Sequence, residues 1–280
     1  MFLTEKQLTE KSYYNSIVHD KWDSKSLLVE RDNPPFSDYS GDLFDCAKKY
    51  ISDFKNKTIL EIGCGNGEIS VWFAKNGANV YGLDISDESI SIAKRRSIEN
   101  EVSEKTNFSV SPAENTNFQD NFFDIVFINV SLHHLEVEKA LNEIKRILKP
   151  NGIFVTIEPF VFSNTIQKIR TSKLIVRLYP IRQETPTERI LFQNDLKLIQ
   201  NIFSTVEYKP YRIFSLFILK IKPLFFLLAD IFHQKELSIE NRRRLMNRKI
   251  QNIDEAILRY LPFMKFLSRY IVIKAKINKL

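Results

Sequence analysis

The sequence predicts a doubly wound α/β domain with a mostly parallel, seven-stranded sheet and an α-helical insertion near its C-terminal end. Three observations carry this. Between residues 57 and 157 short apolar runs alternate with stretches of helical period, the pattern of βαβ units. The first apolar run closes on a glycine-rich turn, GCGNG, that opens a helix. Two further segments, Thr205–Tyr211 and Tyr270–Lys276, read as strands but are separated by residues 212–267, which are helical in character.

Residues 1–30 read as helical and partly amphipathic, and Pro34-Pro35 breaks the pattern. Residues 41–54 form a helix with Leu43, Phe44, Ala47, Tyr50, Ile51 and Phe54 at helical spacing. Thr58–Ile62 is a short apolar run bounded by Gly63 and reads as a buried strand. Glu68–Lys75 follows as a helix ended by Asn76-Gly77. Residues 78–83 are the second strand, and residues 87–100 a helix with Ile90, Ala93 and Ile98 inward. Residues 107–110 and Phe123–Asn129 are the third and fourth strands. Residues 135–148 are a strongly periodic helix ended by a turn signal, Lys149-Pro150-Asn151-Gly152, and residues 153–157 the fifth strand. Two more helices are expected, over 163–180 and over 195–203, the second capped by Asp195.

With 280 residues, 44% hydrophobic and 27% charged, the chain can bury a sizeable core, and no part has the composition of a disordered segment. Two cysteines, Cys46 and Cys64, imply no disulfide framework. Without a C-x-x-C pair no metal site is expected. The charged N-terminus lacks an apolar h-region, so a reducing, cytoplasmic location is the expectation. The net charge of +7 is uneven: residues 211–280 hold fifteen Lys and Arg against five Asp and Glu. Such asymmetry points to an anionic partner or to a solvated helical surface.

The chemistry concentrates at Glu61-Ile62-Gly63-Cys64-Gly65-Asn66-Gly67. Glycines let the backbone approach a ligand, and the helix beyond presents free N–H groups. The dinucleotide fingerprint is G-x-G-x-x-G. Here the spacing is G-x-G-x-G, and Glu68 stands where that pattern wants glycine. Glu61, two residues before the first glycine, suits a cationic amino or sulfonium group better than a pyrophosphate. Asp84 ends the second strand, where an acid takes both ribose hydroxyls. The competing role for Asp84 is a helix cap, for which Ser86 or Asp87 is better placed.

Taken in order, ILEIGCGNG, VYGLDIS, PAENTNFQDNFFDIVF, NVSLHHL and IKRILKPNGIFVTIEP resemble the motifs of class I S-adenosylmethionine-dependent methyltransferases, especially the type-11 group. The resemblance covers roughly residues 40–160 and implies a Rossmann-like methyltransferase fold that binds S-adenosyl-L-methionine and releases S-adenosyl-L-homocysteine. It implies that Glu61, Gly63, Cys64, Gly65 and Gly67 surround the methionine moiety. Asp84 and Ile85 would hold ribose and adenine, Ala113 and Glu114 would lie beside the adenine, and Asn129 would line the site under the sulfonium. Tyr14 and Trp22 resemble the family's lid over the donor, or else form the aromatic face of a packing helix. One departure stands out: the family often has Gly-Asp before Ala-Glu, and this chain has Ser111-Pro112.

His133 and His134 follow the fourth strand, at the edge where doubly wound sheets bind ligands. Either is a candidate base for a hydroxyl or carbon acid, His133 slightly preferred, and the alternative is that the pair shapes the loop. The expected organisation is an N-terminal helical lid (1–40), a donor-binding domain (41–211 with 268–280) and a helical cap (212–267) over the acceptor site. The acceptor expected is a small molecule, lipidic or glycosidic, with O-methylation favoured. The alternatives are C-methylation of an isoprenoid, quinone or terpene, or donor binding without catalysis. Ile213–Phe232 is apolar on most sides but interrupted by Lys220, Lys222, Pro223 and Asp230. With Arg242-Arg243-Arg244 and Arg248-Lys249 following, it suggests a buried lid helix, or else an apolar acceptor tunnel or a membrane-facing surface. No nucleic-acid partner is expected: Asn33-Pro34-Pro35-Phe36 has the letters of a base-methylating motif but lies before the first strand.

Overall fold

A computed structural model describes residues 3–17, 24–32, 41–170, 189–212 and 252–277. Trp22, Ile213–Phe232, the arginine run at 242–244 and the end of the helix expected over 163–180 lie outside the described residues.

Strands β1 (Thr58–Ile62), β2 (Asn79–Asp84), β3 (Thr106–Val110), β4 (Phe123–Asn129), β5 (Leu148–Val161), β7 (Thr205–Tyr211) and β8 (Tyr270–Lys276) form one sheet in the order β3-β2-β1-β4-β5-β8-β7. The first five are parallel. β8 pairs antiparallel with both β5 and β7. A short eighth strand, β6 (Leu191–Phe192), pairs with the end of β5. The chain order reverses beside β1, which leaves a crevice at the carboxyl ends of β1 and β4, the place where doubly wound sheets bind ligands.

Alternation along the central strands separates two cores. Ile59, Ile125, Phe127, Val155 and Val272 face α3 (Gly41–Ile51), α4 (Glu68–Lys75) and α5 (Asp87–Glu99). Leu60, Ile62, Val126, Ile128, Phe154 and Ile273 face α6 (Val137–Ile147) and α8 (Gln193–Ile202). Phe44, Phe73 and Phe127 meet edge to face or tilted and are fully buried, each stabilising by about 2–3 kcal/mol relative to exposure. α6 buries Val137, Ala140, Leu141, Ile144 and Ile147, one stripe of a helix. Far from the crevice, Asp124 accepts from the Thr58 amide at 2.9 Å and from Lys149 Nζ at 3.0 Å, tying together the start of three strands.

Three expectations are corrected. Ile98 is 66% exposed, because α5 turns only Ile90, Ile92, Ala93 and their neighbours to the sheet. The Lys149–Gly152 signal is a bulge within β5: Asn151 takes φ 62° and the pairing with β4 shifts between Phe123 and Ile125, so the strand bends without ending. Asp195 is not the cap of α8. It sits in the first turn, where its carboxylate accepts from the Phe192 amide at 2.8 Å and pairs with Arg189. Ser86 is the cap of α5, accepting from the Ser89 amide at 3.0 Å.

α1 (Glu5–Ile17) lies across the carboxyl edge of the sheet. Lys11 pairs with Asp87, Asn15 accepts from Ser86, and Gln7 donates to Glu114. The chain leaves the sheet after Tyr211 and re-enters at Tyr270, which face each other across the β7–β8 ladder on that same edge. The described part of the segment between them is a helix over 252–260 and a 3₁₀ turn, Pro262–Leu267. Among the described residues no helix is long and apolar enough to cross a membrane.

Candidate donor site

The glycine turn is built by its backbone. The Gly63 and Cys64 amides both donate to the Leu83 carbonyl, at 2.8 and 2.9 Å, and the Gly67 amide to Cys64. This folds the chain from β1 straight into α4, beside the end of β2. Gly67 stands at φ 78°, and a Cβ there would lie 2.7 Å from Ala93 Cβ: it is a packing glycine, letting α4 and α5 touch. Gly65, at φ 50°, faces open space, with nothing within 4 Å of an added Cβ. The glycine that opens toward a ligand is therefore Gly65. Arg96, buried on α5, donates to the Asn66 carbonyl at 2.9 Å and to Leu27 at 3.2 Å, so the turn is braced from behind.

A cavity of about 440 Å³, the size of a nucleoside-bearing ligand site, opens between this turn and α1. Gly63, Gly65, Asp84, Ile85, Ala113, Glu114, Tyr14 and His134 all line it. Asp84 Oδ2 accepts from the Gly65 amide at 2.8 Å and Oδ1 from the Ser86 amide at 2.9 Å. Burial pushes its carboxyl above the usual range, opposed by the Ser86, Gly65 and Ile85 amides. It joins the glycine turn to α5 and keeps lone pairs for hydroxyl donors. Glu114 is held at both oxygens, by Gln7 and by the Glu136 amide at 3.0 Å. The segment around it is fastened through the Thr116 amide and hydroxyl to Glu143, which Arg146 clamps together with Asp120.

Four of the residues expected around the donor stand off the cavity wall. Cys64 is buried behind the turn, with burial raising its thiol well above the usual range. Gly67 is the packing position just described. Asn129 ends β4 and its carbonyl accepts from Ser131 Oγ at 3.2 Å. Glu61 is 2% exposed and takes a hydrogen bond from Ser70 of α4; burial pushes it up to about 8. It supports the turn from beneath.

The two histidines differ in role. His133 is 2% exposed and its Nδ1–H donates to Glu158 Oε2 at 2.7 Å. Glu158, fully buried at the end of β5, also accepts from the Ser131 and Leu132 amides and from Thr156 Oγ1. That pair fixes the loop after β4, whose first residue, Val130, is forced to φ 56°, a conformation that costs a β-branched residue about 1–3 kcal/mol. His134 instead lies on the cavity wall. Its Nε2 is 3.1 Å from the Tyr14 hydroxyl and its Nδ1 3.3 Å from Glu10 Oε2. Sequence patterns missed Glu10, Arg96 and Glu158. Each is a charged residue on an otherwise inward position, a signal visible at Arg96 beside Ile92 and Ala93.

The residues present fit S-adenosyl-L-methionine: an open glycine turn, a carboxylate at the end of β2, and an apolar slot of Leu83, Ile85, Pro112, Ala113 and Leu135 for a flat base. Ser111 and Pro112, where the related pattern has an acid, line that slot, which leaves Ser111, Glu114 and backbone groups as its polar contacts.

Residues 60–156 match the family described as a methyltransferase domain. The chain is 34% identical over 110 residues to the ubiquinone/menaquinone biosynthesis C-methyltransferase of Rickettsia prowazekii, covering 37% of this chain and 44% of that protein. It is 26% identical over 171 residues to the ubiquinone biosynthesis O-methyltransferase of Hydrogenovibrio crunogenus, covering 60% and 64%. The chain thus spans less than half the length of the first relative and under two thirds of the second. Among solved structures, geranyl diphosphate C-methyltransferase from Streptomyces coelicolor matches with a TM-score of 0.58 at 14% identity, covering 98% of each chain. The [4+2]-cyclase SpnF matches with 0.57 at 18%, covering 98% and 96%. These structural likenesses carry the fold.

Proposed function

Because the chain carries a class I S-adenosylmethionine-dependent methyltransferase domain, we propose that it transfers a methyl group to an oxygen of a small lipidic or glycosidic acceptor. The observation that carries this reading is one cavity wall on which Gly65, Asp84 and His134 stand together at the carboxyl edge of the sheet. Bound there, the donor supplies an electrophilic methyl on a sulfonium. The protein's share is mainly alignment and exclusion of water. Asp84 would hold the ribose hydroxyls, Gly65 would admit the methionine part of the donor, and Ile85 and Ala113 would line the place of the base. Tyr14 and Glu10 of α1 close the cavity from above and orient the His134 imidazole. His134 is the imidazole on the wall, beside the carboxylates Glu10, Asp84 and Glu114, and takes the proton from an acceptor hydroxyl in this reading. His133 sets the loop.

A helical cap over 212–267 suits this reading, since that segment starts and ends at the edge where the cavity opens. A second reading, methylation at carbon of an isoprenoid acceptor, is favoured by the named activities of the Rickettsia relative and the Streptomyces structure. Calorimetry with S-adenosyl-L-homocysteine and with NAD tests the donor assignment: binding of the first alone is expected, and binding of NAD alone refutes it. Incubation with methyl-labelled donor and extracted lipids and glycosides, followed by magnetic resonance of the product, then separates oxygen from carbon. Donor binding with no transfer to any fraction would favour a non-catalytic role.

A further inference from the structure

Residues 252–269 form a projection beside the last residues of β7. It is anchored from within by Asp254 and Ser268, both buried. The Arg269 amide donates to Tyr211, and the Phe160 amide to Arg269. Lys209 pairs with Glu255 at 2.7 Å. The tip is apolar and outward: Tyr260 is 77% exposed and Phe263 59%, with Leu261 and Phe266 also exposed. Large apolar side chains held outward on a fixed turn, next to one another, mark an interaction surface. Beyond Glu255 the charges of the projection are cationic: residues 256 to 269 hold Arg259, Lys265 and Arg269 and no Asp or Glu. Arg259, Lys265 and Lys209 also line a groove of about 680 Å³ next to the tip, in which Glu255 is the acid and is already paired.

We propose that this projection docks the protein on an anionic lipid bilayer. Tyr260, Leu261, Phe263 and Phe266 would enter the boundary between headgroups and acyl chains, with Arg259 and Lys265 at the level of the phosphates. Exposed aromatic and aliphatic residues with cations beside them suit a bilayer surface, whose apolar layer lies next to its phosphates. A protein partner would need no such cationic rim. The projection joins the sheet at Tyr211 and Tyr270, on the carboxyl edge that also bears the donor cavity. The proposal goes beyond the methyl-transfer reading and does not depend on the acceptor being a lipid.

The test is co-sedimentation of the whole chain with phosphatidylglycerol and with phosphatidylcholine vesicles, at low and at physiological salt. Binding to the anionic vesicles alone, weakened by salt, is expected. Arg259→Gln and Lys265→Gln should each lower it roughly fivefold, and Phe263→Glu with Phe266→Glu at least tenfold. None of these positions lines the donor cavity, so S-adenosyl-L-homocysteine affinity stays unchanged, which also verifies folding. Phe263→Trp should show a blue-shifted emission on adding anionic vesicles. Equal binding to both lipids, no binding, or binding indifferent to the tip variants overturns the proposal. So does a wild-type dimer in lipid-free buffer that the tip variants dissociate, since a second copy would then cover the surface. Vesicle binding without S-adenosyl-L-homocysteine binding would overturn the donor assignment and leave the docking surface standing.

Discussion

Alanine at Gly65 and alanine at Gly67 should fail in different ways, although the two glycines are two residues apart in one motif. Both have positive φ, so alanine at either costs about 1–2 kcal/mol of backbone strain. At Gly67 the new methyl would lie 2.7 Å from Ala93 Cβ, 3.0 Å from Ala93 Cα and 3.2 Å from Phe108 Cζ. Two of those atoms belong to α5 and cannot move alone, so overpacking adds about 1–3 kcal/mol. Gly67→Ala should therefore destabilise by about 2–5 kcal/mol. At Gly65 nothing lies within 4 Å of the methyl. Gly65→Ala should lose only the strain, about 1–2 kcal/mol, but it fills space on the cavity wall. Its affinity for S-adenosyl-L-homocysteine should fall by at least tenfold, about 1.4 kcal/mol. Urea unfolding separates the two, with a midpoint shift of about 1 M for Gly67→Ala at a slope of roughly 3 kcal/mol/M. Calorimetry on the folded proteins gives the affinities. Equal destabilisation by both substitutions, or unchanged affinity in Gly65→Ala, would refute the division into a packing glycine and a ligand glycine.

Asp84→Ala should weaken S-adenosyl-L-homocysteine binding by about 2–4 kcal/mol, read by calorimetry, because two charge-assisted hydrogen bonds to ribose are lost with partial compensation by water. His134→Ala should lower methyl transfer to a hydroxyl acceptor by roughly 10²–10⁴-fold at saturating donor. His133→Ala should instead remove about 1.5–3 kcal/mol of stability in urea, by taking one donor from Glu158. The reverse pattern would make His133 the base. Glu61, raised to about 8 by burial, keeps its proton in the folded chain between its unfolded value and that pH, while the unfolded chain loses it. Stability should therefore fall as pH rises from about 4.5 to 8, by on the order of 5 kcal/mol, and level off above. Glu61→Gln should flatten this fall, which urea midpoints at stepped pH would reveal.

The sequence by itself determined β1, β2 and β4, because each is a short apolar run cut off by glycine, asparagine or a charged turn, whereas β5 runs on through the turn signal at Lys149–Gly152. β1, β4 and α4 begin and end where those signals stand. It also favoured a cationic amino or sulfonium ligand over a dinucleotide, and the resemblance to class I methyltransferases then implied S-adenosyl-L-methionine. The spacing G-x-G-x-G and an acid at the end of the second strand are local features, and their meaning depends on the backbone within one βαβ unit. Only the tertiary structure decided which member of each local pair faces the ligand. Gly65 and Gly67 read alike in sequence, yet α5 packs against one and leaves the other open. His133 and His134 are adjacent, and a buried carboxylate 25 residues away, Glu158, claims the first. Glu10 reaches His134 from a helix more than a hundred residues earlier. Periodicity records whether a side chain lies inward or outward along its own element. It does not record what another element brings to meet it, and the chemistry of this site is set by those meetings.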